Sequence, residues 1–204
     1  MACKLTVSSI NELGYREFIV RFGNVVEGNS LCAAAVWSRR PFSSLENFVG
    51  SMCQFIDDLP RDGKAGILRS FLDLTAHWES LSCDSQREQT ETGIRKRIND
   101  EEFLRLKHYT NLYREKFGFT FVICARLHDT KDSVLEKVLE RLKNNENQEL
   151  ETGIEEVKKI MILRMKDLVD DCQTSKLWFE NLVTECSISV EMTIGSVWAG
   201  SFDG

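Results

Sequence analysis

The segment Ser85-Gln86-Arg87-Glu88-Gln89 combines residue types and a spacing that could form a small polar site. On an α-helix, positions i, i+3 and i+4 lie on one face, so Ser85, Glu88 and Gln89 would present a hydroxyl, a carboxylate and an amide together. Such a trio can hold a small polar substrate. The alternative is that Ser85 caps a helix and Glu88 is its capping-box partner, and the segment taken alone favours that alternative.

Arg164 is a second candidate because apolar residues surround it in "IMILRMKDL", residues 160–168. A guanidinium drawn into the interior needs an anion, which can be an Asp or Glu side chain or a ligand carboxylate. The alternative is that the long side chain reaches out to water. The sequence leaves both interpretations open.

The commonest catalytic and metal-binding motifs are missing from the chain. There is no P-loop, no G-x-G-x-x-G, no H-E-x-x-H and no G-x-S-x-G. The three histidines, His77, His108 and His128, are not paired at ligand spacing on a single helix. The sequence therefore predicts no metal site.

The stretch "ILRSFLDLTAHW", residues 67–78, is mostly apolar but carries Asp73 and ends near His77. It could be core packing, or a reactive site that has lost one of its residues. Its composition alone favours core packing.

Helices must position these residues. Only two prolines occur, Pro41 and Pro60, and long stretches repeat apolar residues at helical spacing. The predicted helices are Leu13 to Phe22, Leu31 to Trp37 after Ser30 as N-cap, one from the Ser43-Ser44-Leu45-Glu46 capping-box pattern to Pro60, one capped by Asp100, one over Val134 to Leu142, and Gln148 to Asp171.

The run "FGFTFVICA", residues 117–125, is nearly continuous in apolar residues but short for a helix. Gly118 and the β-branched residues favour a buried, extended crossing. The backbone polar groups of such a crossing need protein partners or a ligand.

Length and charge limit the function classes. The 204 residues are 42% apolar and 28% charged, with a net charge of −6, which predicts a soluble domain without the basic surface that nucleic acid requires. No window approaches the run of about 18 apolar residues that a membrane-spanning helix needs. Seven cysteines without C-x-x-C spacing, and an N-terminus unlike a signal peptide, predict reduced intracellular thiols.

Six blocks taken together resemble the 2-oxo-4-hydroxy-4-carboxy-5-ureidoimidazoline (OHCU) decarboxylase family of uric acid breakdown. They occur in the family's order over about residues 12 to 170: "FGNVVE" (22–27), "AAAVWSRRPFSSLE" (33–46), "FIDDLPRDGKAGILR" (55–69), "SQREQ" (85–89), "YREKFGFTFVICARL" (113–127) and "EVKKIMILRMKDL" (156–168). The ordered set is far more specific than any single block.

The resemblance implies an all-α, single-domain, multi-helix bundle with one short buried extended segment. It places this domain at residues 1–177. In residues 178–204 apolar residues alternate as in a strand, which predicts an atypical and loosely attached tail. It also implies a homodimer without metal or organic cofactor. The implied reaction removes the carboxylate of OHCU and yields (S)-allantoin, with OHCU as the small-molecule substrate.

Residue by residue, the resemblance makes Glu88 a catalytic residue and places the rest of the site around it. Arg164 would hold an anionic group, and residues 121–125 would offer backbone hydrogen bonds. The residues implied to contact the substrate are Leu72, Ser85, Gln86, Arg87, Gln89, Phe121, Val122, Ile123, Cys124, Ala125 and Arg164. These roles favour a substrate site over capping for Ser85 and Glu88.

The chain departs from the family's pattern at Phe71. After "GILR" the family carries His-Pro-Asp-Leu, whose His is the catalytic acid or base, whereas these positions here read Phe71-Leu72-Asp73-Leu74. A phenyl ring cannot move a proton. The loop from Asp73 to Ser85 is also shorter by about three residues, and His77 lies on a different helical direction from Phe71 unless that loop folds it back.

Two functions follow from this departure. One is an OHCU decarboxylase whose rate is impaired by Phe71. The other is a non-catalytic homologue that serves as a ligand-binding or dimerising module.

The letters Ser175-Lys176-Leu177 spell a peroxisomal address, which a receptor reads only at a free C-terminus. Here residues 178–204 follow, so the address is silent. Family resemblance predicts a peroxisomal protein, whereas the internal position of the address predicts a cytoplasmic one.

Overall fold

The computed structural model describes residues 4–76, 80–92, 99–127 and 134–170. Within these ranges it contains helices and no strand, apart from one parallel bridge between Leu5 and Val169, which confirms the all-α fold class. The helices are α1 (Val7–Glu12), α2 (Tyr15–Phe22), α3 (Ser30–Trp37), α4 (Leu45–Asp57), α5 (Arg61–Ser70), α6 (Cys83–Thr92), α7 (Asp100–Phe117), α8 (Val134–Arg141) and α9 (Glu146–Leu168).

Two compact units divide the chain: Met1–Pro60 together with Val157–Gly204, and Arg61–Glu156. Helix α9 begins in the second unit and ends in the first. The single domain over residues 1–177 stays a prediction, and the predicted tail at 178–204 lies outside the described residues.

Helix α4 begins as expected but is capped one residue later than the predicted box. The Ser44 hydroxyl accepts the Asn47 N–H at 3.2 Å, and the Asn47 side chain accepts the Ser43 N–H at 3.4 Å. Asn47 therefore forms the reciprocal hydrogen bonds with Ser43 and Ser44 that were predicted for Glu46. The helix ends at Asp57, before Pro60.

At two further helix starts an asparagine occupies the N-cap position instead of the predicted neighbouring residue, although only Asn99 makes a side-chain capping hydrogen bond. Asn99 forms a complete capping box with Glu102, so Asp100 is the first residue of α7 and not its cap. Asn29 occupies the N-cap position of α3, which makes Ser30 the first helical residue. Asn, Asp and Ser have nearly equal capping preference, so neighbouring candidates cannot be separated by residue type.

The core of the first unit is built around aromatic rings from α2, α4 and the loop before α4. Phe42 stacks on Phe48 with ring centroids 4.5 Å apart, and Phe22 meets Phe48 edge to face at 5.0 Å. Phe18 lies 5.0 Å from Phe22. Such pairs contribute about 0.5–1.5 kcal/mol beyond area burial.

Cys32, which is buried in the first unit, should make stability fall in alkali. Burial raises the pKa of its thiol to about 11, against a smaller lowering by a backbone hydrogen bond. The unfolded chain loses this proton near pH 9, so the stabilisation is complete below pH 9 and is lost as the pH rises towards 11. Denaturant titrations from pH 8 to 11 should show a smaller loss for Cys32→Ala than for the unmodified chain. If the free energy of unfolding falls equally with pH in both proteins, Cys32 is not the cause of the loss.

The second unit contains the predicted apolar crossing. Helix α7 ends at Phe117, and Gly118 adopts the left-handed conformation (φ 74°) that stops it. Residues 119–124 are buried and form neither helix nor turn, as predicted, except that Phe117 belongs to the helix.

None of the helices in the described ranges is long and apolar enough to cross a bilayer.

Candidate active site

Helix α5 carries Phe71 at its end, and contacts with the start of α9 hold this helix in place. Lys64 forms an ion pair with Glu151 at 3.1 Å. Leu68 is fully buried against Gly153, where an added Cβ would lie 2.9 Å from a Leu68 methyl carbon. This close contact fixes α5, and Phe71, which directly follows it, is buried with 8% of its surface exposed.

Asp73, next to the Phe71 position, builds the turn that follows α5. One carboxylate oxygen accepts both the N–H (2.7 Å) and the hydroxyl (2.6 Å) of Thr75, and the other accepts Arg114 at 3.2 Å. Its carbonyl accepts the Ala76 N–H at 2.9 Å. Leu72, predicted to contact substrate, is 45% exposed, and His77, the possible replacement for the missing histidine, lies outside the described residues.

The capping interpretation of Ser85 is wrong. The Ser82 hydroxyl accepts the Ser85 N–H at 3.2 Å, and the Ser82 carbonyl accepts the Gln86 N–H at 2.9 Å. Ser82 is therefore the N-cap of α6, and Ser85 is its third helical residue. The N-cap is three residues before Ser85 because an N-cap hydroxyl accepts the N–H of the third helical residue, which here is Ser85.

Ser85, Glu88 and Gln89 lie on one face of α6, as their spacing predicts. Ser85 and Glu88 are half-buried and Gln89 is buried, and each makes polar contacts. The other two predicted residues of this segment make contacts on α6 or just before it. The Gln86 amide donates to the Leu81 carbonyl at 3.2 Å, and exposed Arg87 pairs with Asp84 at 3.4 Å.

Two charged side chains hold the buried segment at residues 121–125. Arg141 donates from Nη1 to the Val122 carbonyl at 2.7 Å, and a Glu156 carboxylate oxygen accepts the Cys124 N–H at 2.7 Å. The Ile123 carbonyl accepts the Ala125 N–H at 3.1 Å. Among the described residues, no hydrogen bond reaches the N–H groups of Phe121, Val122 and Ile123. The segment therefore has protein partners for some groups and amide donors left for a ligand.

A buried polar cluster around Glu149 supports Arg141. The Glu149 carboxylate accepts Arg141 Nε at 2.8 Å, Asn144 Nδ2 at 2.8 Å and the Tyr113 hydroxyl. The guanidinium carbon of Arg141 lies 4.5 Å from the centre of the Phe121 ring.

The charge balance keeps this cluster ionised at Arg141 and neutral at Tyr113. Burial lowers the pKa of Arg141, but Glu149 and its other neighbours raise it overall. Burial is the main cause that raises the pKa of Tyr113, and Arg141 opposes it. The guanidinium therefore stays charged, and the phenol keeps its proton to donate to Glu149.

Sequence reasoning missed Arg141, Glu149 and Glu156. Glu149, Gly153 and Glu156 recur at i, i+4 and i+7, which places two acids and a glycine on one face of α9. That spacing was the available signal. It could not show that the face is buried, because burial depends on α7, α8 and the crossing segment.

In the first unit, Arg164 is buried and pairs with an acid. Its Nη1 donates to the Glu27 carboxylate at 2.7 Å and to the Asn24 carbonyl at 2.9 Å. Only 2% of Arg164 is exposed, so the alternative in which it reaches out to water is wrong. A carboxylate of the protein is already one of its anionic partners.

No group of three or more His, Cys, Asp and Glu side chains that could hold a metal ion occurs among the described residues.

A sequence model of the family described as OHCU decarboxylase matches residues 11–166. The chain belongs to this family. Its relatives named 2-oxo-4-hydroxy-4-carboxy-5-ureidoimidazoline decarboxylase include one from Mus musculus, 44% identical over 163 residues, which cover 78% of this chain and 90% of the relative. The relative of that name from Amia calva is 40% identical over 168 residues, which cover 81% and 95% of the two chains.

Solved structures of the OHCU decarboxylase fold agree with this assignment. A crystal structure described as OHCU decarboxylase in the presence of (S)-allantoin has a TM-score of 0.59 at 25% identity and covers 73% of this chain and 97% of its own. A structure described as (S)-allantoin synthase has a TM-score of 0.62 at 20% identity, covers 81% of this chain and 55% of its own, and shows the likeness in fold alone. The family match includes every candidate site residue from Phe71 to Arg164.

Proposed function

We propose that this protein decarboxylates OHCU to (S)-allantoin in the degradation of uric acid. The observation that carries the proposal is the 44% identity over 163 residues to a relative named for this activity. That alignment covers 90% of the relative and 78% of this chain.

The reaction requires the protein to stabilise one electron pair and to deliver one proton. When the bond between the ring carbon and its carboxylate breaks, CO₂ leaves and the electron pair stays on the ring carbon. That pair must be delocalised, and the carbon must then take a proton on one face to give a single stereoisomer. A positioned acid is therefore the minimum requirement.

Glu88 is the proposed proton-transfer residue, with Ser85 and Gln89 on the same face of α6 as substrate contacts. A carboxylate near the substrate's own carboxylate would also destabilise the charged ground state and favour loss of CO₂. The Ile123 N–H, which has no partner among the described residues, would donate to a carbonyl oxygen of the ligand.

Phe71 sets the expected rate below that of family members with histidine at this position. A general acid or base typically contributes about 10²–10⁴ to the rate, and a buried phenyl ring supplies none of it. The same residue supports the second candidate function, a non-catalytic homologue that binds ureido-imidazoline ligands or dimerises.

Direct turnover and binding measurements separate the two functions. OHCU is generated freshly, the protein is added, and (S)-allantoin is followed by circular dichroism against the uncatalysed reaction. Calorimetry measures the binding of (S)-allantoin in parallel. Turnover above background supports the enzyme, and binding without turnover supports the ligand-binding homologue. The absence of both would overturn these two functions and leave only the dimerising module.

A homodimer is proposed from the family resemblance. Light scattering during size-exclusion chromatography should give twice the 23.4 kDa mass of the chain. A monomer at micromolar concentration would reject this proposal.

The location in the cell is proposed to depend on the residues after Leu177. Because a free S-K-L end is the form a receptor reads, a chain truncated after Leu177 should enter peroxisomes while the full chain stays in the cytosol. Fluorescent fusions at the N-terminus leave the C-terminus accessible. The same distribution for both chains would contradict the prediction.

A further inference from the structure

Side chains from two helices hold the backbone of residues 121–125. No strand lies beside this segment in the described ranges. In a sheet, hydrogen bonds from an adjacent strand would fix such a segment. Here Arg141 from α8 binds the Val122 carbonyl and Glu156 from α9 binds the Cys124 N–H, each at 2.7 Å. Hydrogen bonds to charged groups are stronger than those between neutral groups.

Both anchoring side chains are themselves buried and fixed. Arg141 is 7% exposed and is held by Glu149, and its guanidinium also covers the Phe121 ring. Glu156 is 6% exposed and projects from a helix turn next to Gly153, where α9 contacts Leu68 of α5. The segment therefore rests on a rigid frame within one compact unit.

The bonds made by these two side chains leave the backbone N–H between them, that of Ile123, without a partner among the described residues. Ile123 is buried, and its N–H has no partner among the described residues. The N–H groups of Phe121 and Val122 have none there either, but only Ile123 lies between the two anchored groups, the Val122 carbonyl and the Cys124 N–H. A buried amide without a partner is costly, and its persistence is typical of a ligand-binding position.

We propose that Glu156 and Arg141 are positioning residues for the decarboxylase site, which fix the backbone of residues 121–125 so that the Ile123 N–H is aimed at the substrate. The inference rests on the proposed function. It goes beyond the six-block resemblance, which implies the segment as a substrate contact but assigns no residues that hold it.

Two substitutions at Glu156 separate positioning from simple loss of charge. Glu156→Gln removes the charge but keeps a carbonyl oxygen that can accept the Cys124 N–H, whereas Glu156→Leu removes the acceptor. We expect Glu156→Leu to raise KM and to weaken (S)-allantoin binding about ten- to a hundredfold, with a much smaller change in kcat. Glu156→Gln should stay within about threefold of the unmodified protein.

A spectroscopic readout and a stability control complete the test. The ¹⁵N–¹H signal of Cys124 in the free protein should shift in Glu156→Leu and stay nearly constant in Glu156→Gln. Val49→Ala, a cavity substitution at a fully buried position of the other compact unit, should lower the unfolding midpoint without changing KM.

The outcomes distinguish failure of this inference from failure of the function. A folded Glu156→Leu variant with unchanged KM and unchanged (S)-allantoin affinity would overturn the positioning role, as would equal losses in the Gln and Leu variants. If the unmodified protein neither turns over OHCU nor binds (S)-allantoin, the proposed function is overturned and the inference falls with it.

Discussion

The Phe71→His variant is expected to form (S)-allantoin from OHCU about 10²- to 10⁴-fold faster than the unmodified protein. The expected gain is large because residue 71 directly follows α5, whose contacts with α9 keep it in place, and because imidazole can move a proton where a phenyl ring cannot. The measurement is the initial rate by circular dichroism with freshly generated OHCU.

The pH profile and a matched variant test whether the gain comes from proton transfer. The kcat/KM of Phe71→His should vary with pH around the imidazole pKa, which burial would move below its usual value of about 6.5. Phe71→Gln introduces a polar side chain that cannot serve as a general acid or base, so it should gain nothing. If Phe71→His is no faster than Phe71→Gln, the low activity is caused by the shortened loop before Ser85 and not by residue 71.

Arg141→Leu is expected to lower the free energy of unfolding by about 3–5 kcal/mol, the typical cost of removing one partner from a buried ion pair. The loss is large because the Glu149 carboxylate would remain buried after its cation is removed. Tyr113 and Asn144 would still donate to Glu149 but would not neutralise its charge. Urea titrations followed by far-ultraviolet circular dichroism measure this change.

An exposed ion pair in the same compact unit provides the control. Arg61 pairs with Glu146 at 2.6 Å, but their side chains are 54% and 61% exposed, so Arg61→Leu should change stability by less than about 1 kcal/mol. Adding Glu149→Leu to Arg141→Leu removes the stranded charge and should recover part of the loss. If Arg141→Leu and Arg61→Leu lower the free energy of unfolding equally, burial of the ion pair does not determine the loss of stability.

The helices could be predicted because their causes are local. The apolar stripes of α4 and α9 follow from residues three and four apart and locate both helices, although α9 begins two residues before the predicted Gln148 and ends at Leu168, three residues before the predicted Asp171. Helices α1 and α5 were not predicted, and the other errors concern which of two neighbouring polar residues forms the cap, as at Asn99 and Asp100. That choice depends on side-chain geometry of a fraction of an ångström, which residue type does not encode.

The candidate site could be predicted only in part. The shared face of Ser85, Glu88 and Gln89 follows from spacing, but the true cap at Ser82 was needed to decide against capping. The buried cluster of Tyr113, Arg141 and Glu149 brings together residues distant in sequence, so no local pattern contains it. The significance of Phe71 required the family's pattern, since a phenylalanine after a helix is otherwise ordinary core.

The contact between Gly153 and Leu68 limits what any change at residue 71 can achieve. An added Cβ at position 153 would lie 2.9 Å from a methyl carbon of Leu68, which is fully buried, so the Leu68 side chain or α5 would have to shift. Residue 71 lies three positions after Leu68 and would move with the helix. A histidine restored at position 71 would therefore follow a helix that packs against a glycine more than eighty residues away in the sequence.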